Sequence, residues 1–116
     1  MTQFEINQNA KWAAISIKEN FAVTGVELDD GGVAIIESFT RALLGFYSTG
    51  IQPDEKTITA IARDRMDRGN TNTPKPVAIA ISILIDKLPS LFKKYGVHRD
   101  RENAEYLATL PPIKAD

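Results

Sequence analysis

Few residues of this chain are placed to do chemistry. His98 is the single histidine, and cysteine is absent. A metal centre needs several His, Cys or carboxylate donors converging, and none gathers around His98 in sequence. A Ser-His-Asp triad would have to use the same histidine, and no G-x-S-x-G nucleophile elbow is present. The phosphate-cradling G-x-x-x-x-G-K-[ST] and G-x-G-x-x-G patterns are also missing. Gly31-Gly32 precede a helical stretch, where an anion could sit on the helix N-terminus, yet Asp29 and Asp30 would repel it. The carboxylate pairs Asp29-Asp30 and Asp54-Glu55 would serve acid–base catalysis only in contrasting environments within a cleft. At helix starts they read as caps. The expectation is a non-enzymatic chain with no catalytic residue, no cofactor and no metal.

Charge is the stronger lead. Residues 1–55 hold Lys11, Lys18 and Arg41 against eight Asp/Glu, a net of −5. Residues 56–100 hold nine Lys/Arg against four Asp, a net of +5, and 101–116 adds two positive and three negative charges. The whole-chain charge of −1 conceals an acidic front and a basic back. Such asymmetry bears on partners rather than on fold.

These side chains need elements to position them. At 116 residues the chain reads as one domain, 1–116, with enough length to bury a core. Ile35, Ile36, Phe39, Leu43 and Phe46 recur at threes and fours, which predicts a helix over 30–47 capped by Asp29 or Asp30. Gly31, Gly32 and Gly45 weaken it, each by up to about 1 kcal/mol relative to Ala. A second helix is predicted over 53–68, with Pro53 first, Ile58, Ile61, Ala62 and Met66 inward, and Gly69 closing it. Arg63–Asp67 and Asp64–Arg68 are candidate i,i+4 ion pairs. The stretch 10–21 reads as a helix with Trp12, Ile15 and Phe21 inward, and 23–28 as a short strand. Residues 77–88 fit two periods. Val77, Ile79, Ile81, Ile83 and Ile85 alternate as in a strand, whereas Val77, Ala80, Ile81, Leu84 and Leu88 form a helical stripe. The expected fold is all-α, a compact four- to five-helix domain with a buried central helix near 77–88. The alternative is α+β, with 77–85 as a strand beside 23–28. Beyond Pro89, residues 90–95 read as a helical turn closed by Gly96. Residues 101–110 read as a short helix ended by Pro111-Pro112, with a frayed tail to 116.

No apolar run approaches the 18 or so residues of a membrane span, and Met1 to Asn9 lacks a secretory h-region. With no cysteine, a cytoplasmic protein is expected. Protein–protein interaction is the expected function, in a binding or regulatory role. Opposed charges can steer a partner or pair copies of the chain into a homo-oligomer, and Tyr106, Leu107, Leu110 and Ile113 offer a tail with apolar anchors. Nucleic acid is the second candidate partner, contacted through the basic region 63–99. The candidate partner-binding residues are Arg63, Arg65, Arg68, Lys75, Lys87, Lys93, Lys94, Tyr106 and Leu107. A small enzyme without a recognisable motif comes third.

The helix–Gly69 loop–helix order resembles a helix-turn-helix whose second helix starts near Pro76. Its eight-residue loop exceeds the usual three or four, and the second helix has no Arg, Asn or Gln for base edges. Gly25-Val26-Glu27-Leu28-Asp29-Asp30, followed by a helix, resembles small antitoxins that inhibit Fic-type adenylyl transferases. Their motif sets Ser or Thr four residues before a Glu that is followed by Gly or Asn. At Glu19-Asn20 that position holds Ile15, with Ser16 one place off, so that function is not carried over. In size and helical pattern the chain is similar to phage-encoded helicase loaders and replication inhibitors. That similarity implies a regulator of phage or mobile-element origin.

Overall fold

The structure, a computed structural model, describes residues 2–50 and 53–88. Among the described residues there are four helices and no strand: α1 (Gln3–Val23), α2 (Asp30–Ser48), α3 (Glu55–Arg68) and α4, helical at 74–88. The fold is all-α.

The first helix starts seven residues earlier than its apolar pattern suggests, because Thr2 and Glu5 form a capping box. The Glu5 amide donates to Thr2 Oγ1 at 3.1 Å, and the Thr2 amide donates to Glu5 Oε1 at 3.3 Å. Two of the otherwise unsatisfied N-terminal donors are thereby used. No strand forms at 23–28, where the chain turns through Thr24 and Gly25 and runs irregularly to Asp29. Gly25 has φ +85°, a left-handed conformation that glycine adopts without steric cost.

The second helix occupies the middle of the molecule. Eleven of its residues are buried, from Gly32 to Ser48. They lie on most sides of the helix, so α2 must be covered from several directions. It packs against α1 and α3, and α4 joins the same cluster through Val77, Ala80, Ile81, Leu84 and Leu88. Two buried hydroxyls on α2 are satisfied within the helix: Thr40 Oγ1 donates to the Ile36 carbonyl at 2.8 Å and Ser48 Oγ to the Gly45 carbonyl at 3.0 Å.

Residues 77–88 are helical throughout, which removes the strand alternative. The β-branched residues there lower helix propensity by less than about 0.7 kcal/mol each. Burying each large apolar side chain of the Val77–Leu88 stripe returns about 1.5–3 kcal/mol. Burial wins, at the cost of leaving Ile79 exposed. Pro74 and Pro76 lie inside the first turn of α4, where a missing N–H costs nothing. The linker from α3 is therefore 69–73 only.

The third helix starts at Glu55, two residues later than expected: Pro53 precedes the helix instead of opening it, and Asp54 is the cap, accepting from the Thr57 amide at 2.7 Å. The expected turn at 90–95, the short helix at 101–110 and the tail to 116 lie outside the described residues, as do His98, Lys93, Lys94, Arg99, Tyr106 and Leu107.

Candidate functional site

An α-helix turns 100° per residue, so α1 presents two faces of different kind. Ile6, Ala10 and Ala14 are fully buried, and Ile17 and Phe21 are packed partly buried on the same side. Small side chains at positions 10 and 14 let the α1 backbone come close to α2. Phe4, Trp12 and Ile15 fall within an arc of about 80° on the opposite side. They are 74%, 62% and 40% exposed, and Val23 at the end of the same face is 87% exposed. With a rise of about 1.5 Å per residue, Phe4 to Ile15 spans roughly 16 Å.

Trp12 and Ile15 thus point outward, contrary to the sequence expectation, while Phe21 does pack against the core. The expectation weighted side-chain size. The inward stripe is instead Ile6, Ala10, Ala14, Ile17 and Phe21, a regular three-and-four spacing legible in the sequence once alanine is counted as apolar. That leaves two large aromatics and an isoleucine on the solvent side. Isolated exposed apolar residues are ordinary, but grouped ones mark interaction surfaces. Lys11 and Lys18, seven residues apart and both exposed, line one edge of this face. Glu5 lies on the other edge, and the helical step puts exposed Glu19 within the arc, between Ile15 and Trp12.

Of the basic candidates, Arg63, Arg65, Arg68, Lys75 and Lys87 lie among the described residues. Along α3 the helical step sends Arg63 outward, Arg65 inward and Arg68 to an edge. Arg65 is only 8% exposed, so its guanidinium is not offered to a partner. Both Arg65 and Arg68 reach Asp64, Arg68 Nε at 3.1 Å from Asp64 Oδ1. The Asp64–Arg68 pair forms as expected, and the Arg63–Asp67 pair does not form among the described residues. Glu37 and Arg41 pair at 3.7 Å within α2. Acids and bases therefore interleave locally in α2 and α3. Lys75 and Lys87 are exposed at opposite ends of α4, with Ile79, Ser82 and Asp86 exposed or half-exposed between them. That surface carries basic, acidic and apolar side chains together.

A polar cluster forms at the Asp29 cap, and its role is structural. Asp29 Oδ1 accepts from the Gly32 amide at 2.7 Å, from Thr71 Oγ1 at 2.6 Å and from Thr73 Oγ1 at 3.3 Å. Its Oδ2 accepts from the Asn72 amide at 2.6 Å. These donors, the Thr71 hydroxyl foremost, lower the Asp29 pKa from 3.8 to about 2. The carboxylate's acceptor capacity is spent on the protein itself. It ties the start of α2 to the α3–α4 linker.

Among the described residues no group of three or more His, Cys, Asp or Glu could hold a metal ion, and no helix is long and apolar enough to cross a membrane. No protein-family model, curated protein or solved structure matches this chain.

Proposed function

We propose that this protein is a non-enzymatic binding or regulatory protein whose target is another protein, engaged through the outer face of α1. The observation that carries the reading is the exposure of Phe4, Trp12 and Ile15 on one side of a well-capped helix. Aromatic side chains bury about 150–250 Å² each and dominate the energetics of protein interfaces. A helix face bearing them suits a groove or a second amphipathic segment. The Lys11–Lys18 edge favours a target with acidic residues beside its apolar ones. The cysteine-free composition supports a cytoplasmic setting.

The test is site-specific photo-cross-linking in cells, with a photoreactive residue at Phe4 and, as a control, at Ile79 on α4. A discrete protein adduct from position 4 that disappears on Trp12→Glu is the expected result. No adduct from position 4, or the same adducts from both positions, overturns the reading. Adducts to nucleic acid from Lys75 or Arg63 would favour the second candidate, phosphate binding by the basic region, whose affinity must fall steeply with salt.

A further inference from the structure

We infer that the outer face of α4 pairs two copies of this chain, helix against helix and antiparallel about a two-fold axis. This surface is separate from the α1 face and goes beyond its role as a docking site.

A helix on the surface of a small domain ordinarily turns charged residues to the solvent. Between Lys75 and Asp86 the fourth helix has none: residues 76–85 are uncharged, and Ser82 is the one polar side chain among them. Lys75, Ala78, Ile79, Ser82 and Asp86 are nevertheless exposed, and Ile83 is half-buried. Ile79 leaves 56% of its surface in solvent. Ala78, Ile79, Ser82 and Ile83 line a shallow groove walled by α4 alone.

The helical step puts Lys75, Ile79, Ser82 and Asp86 within an arc of about 60°, at steps of four, three and four residues, the seam spacing of paired helices. Ala78 and Ile83 flank this seam about 40° to either side, whereas Lys87 lies about 110° from its middle. Reversed, the seam is its own complement. An antiparallel two-fold passing between Ala80 and Ile81 sets Lys75 against Asp86 of the second copy, Ile79 against Ser82 and Ala78 against Ile83. Each rung joins opposite charges or a large side chain to a small one, and each occurs twice because a two-fold contact is isologous. A parallel pairing instead sets Lys75 against Lys75, Asp86 against Asp86 and Ser82 against Ser82. Like charges so placed are unfavourable, and two small side chains face each other across a gap. Neither Lys75 nor Asp86 makes an ion pair among the described residues. Lys75 also lies in the first turn of α4, where the helix dipole favours an anion. Its own helix therefore gives no reason for a cation there, and Asp86 of a reversed second copy does.

The seam from Lys75 to Asp86 is roughly 16 Å long, so the interface is small. Sedimentation equilibrium of the full chain should show monomer and dimer exchanging with a Kd on the order of 100 µM. Ile79→Glu should leave monomer alone. Lys75→Asp and Asp86→Lys should each weaken the dimer about tenfold, because each replaces both cross-pairs by like charges. The double swap Lys75→Asp/Asp86→Lys should restore the wild-type constant to within about twofold. Far-UV circular dichroism and the thermal midpoint of dilute samples confirm that each variant keeps the fold, and the recovery in the double swap is a readout that damage to the monomer would not give. A monomer at every concentration overturns the inference. So does a dimer that the single swaps leave unchanged, as parallel pairing requires, or one that the double swap fails to restore. Trp12→Glu should leave the constant unaltered. A dimer lost in Trp12→Glu and kept in Ile79→Glu moves the contact to α1 and overturns the pairing through α4, while the photo-cross-linking result at position 4 stands or falls by itself.

Discussion

Asp29 joins two stretches of chain through one carboxylate: the start of α2 and the Thr71–Thr73 linker. Because folding holds this group below its unfolded pKa, its stabilisation is complete above 3.8 and is lost as the pH falls through about 2. Asp54, capping α3, is lowered in the same direction by the Thr57 hydroxyl and amide. Thermal midpoints measured from pH 5 down to pH 2 should fall across that window, and Asp29→Asn should flatten the fall. An unchanged acid limb in Asp29→Asn would show that the clamp contributes nothing. Gly31 belongs to the same joint. A Cβ built there would lie 1.8 Å from the Asn70 carbonyl oxygen. Helix propensity alone says that Gly31→Ala gains up to about 1 kcal/mol. The contact says that it loses about 1–3 kcal/mol, and urea denaturation of the variant decides between the two signs. At Gly69 a Cβ would lie 2.2 Å from Ile35 Cγ1. Gly69 does end α3, but with φ −78°, so it is close approach rather than a left-handed turn that requires glycine there.

At the scale of elements, α4 shows burial overriding a strand-like sequence. Residues 79 and 81 would share a face in a strand and lie about 200° apart in a helix. Ile81 is buried and Ile79 exposed. Ile81→Ala should therefore cost about 2–5 kcal/mol, whereas Ile79→Ala should change stability by no more than about 0.5 kcal/mol. Equal losses at both positions, measured by chemical denaturation, would contradict the helix. The first helix carries the opposite lesson. Its inner face is small and its outer face large, so residue size misplaces Trp12 and Ile15, while the i, i+4, i+8 recurrence of Ile6, Ala10 and Ala14 places them correctly. The Thr2–Glu5 capping box was equally available in the sequence as a Thr-x-x-Glu pattern.

At the scale of the molecule, one cluster collects residues from α1, α2 and α4, with Ile58, Ile61, Ala62 and Met66 of α3 packed against it. A single shared core implies a single cooperative unfolding transition. Phe39, fully buried on α2, lies within it, and Phe39→Ala should lower stability by about 3–5 kcal/mol in every probe at once. Two separated transitions by circular dichroism and Trp12 fluorescence would show that α1 unfolds apart from the rest. The division of charge along the chain is weakened by local mixing. Asp64 engages Arg65 and Arg68 inside the basic stretch, and Glu37 engages Arg41 inside the acidic one.

Local rules in the sequence were enough for the caps at Asp29 and Asp54 and for the helical character of α2 and α3, and they left 77–88 with two periods between which burial chose. Each of these depends on residues within a turn or two of one another. Only the tertiary structure decided which helix is enclosed by the others, why glycines stand at 31 and 69, which way Trp12 faces and that Arg65 is inside. Those features depend on which surfaces meet, and segments forty residues apart, such as Asp29 and Thr71, meet only when the whole chain closes on α2.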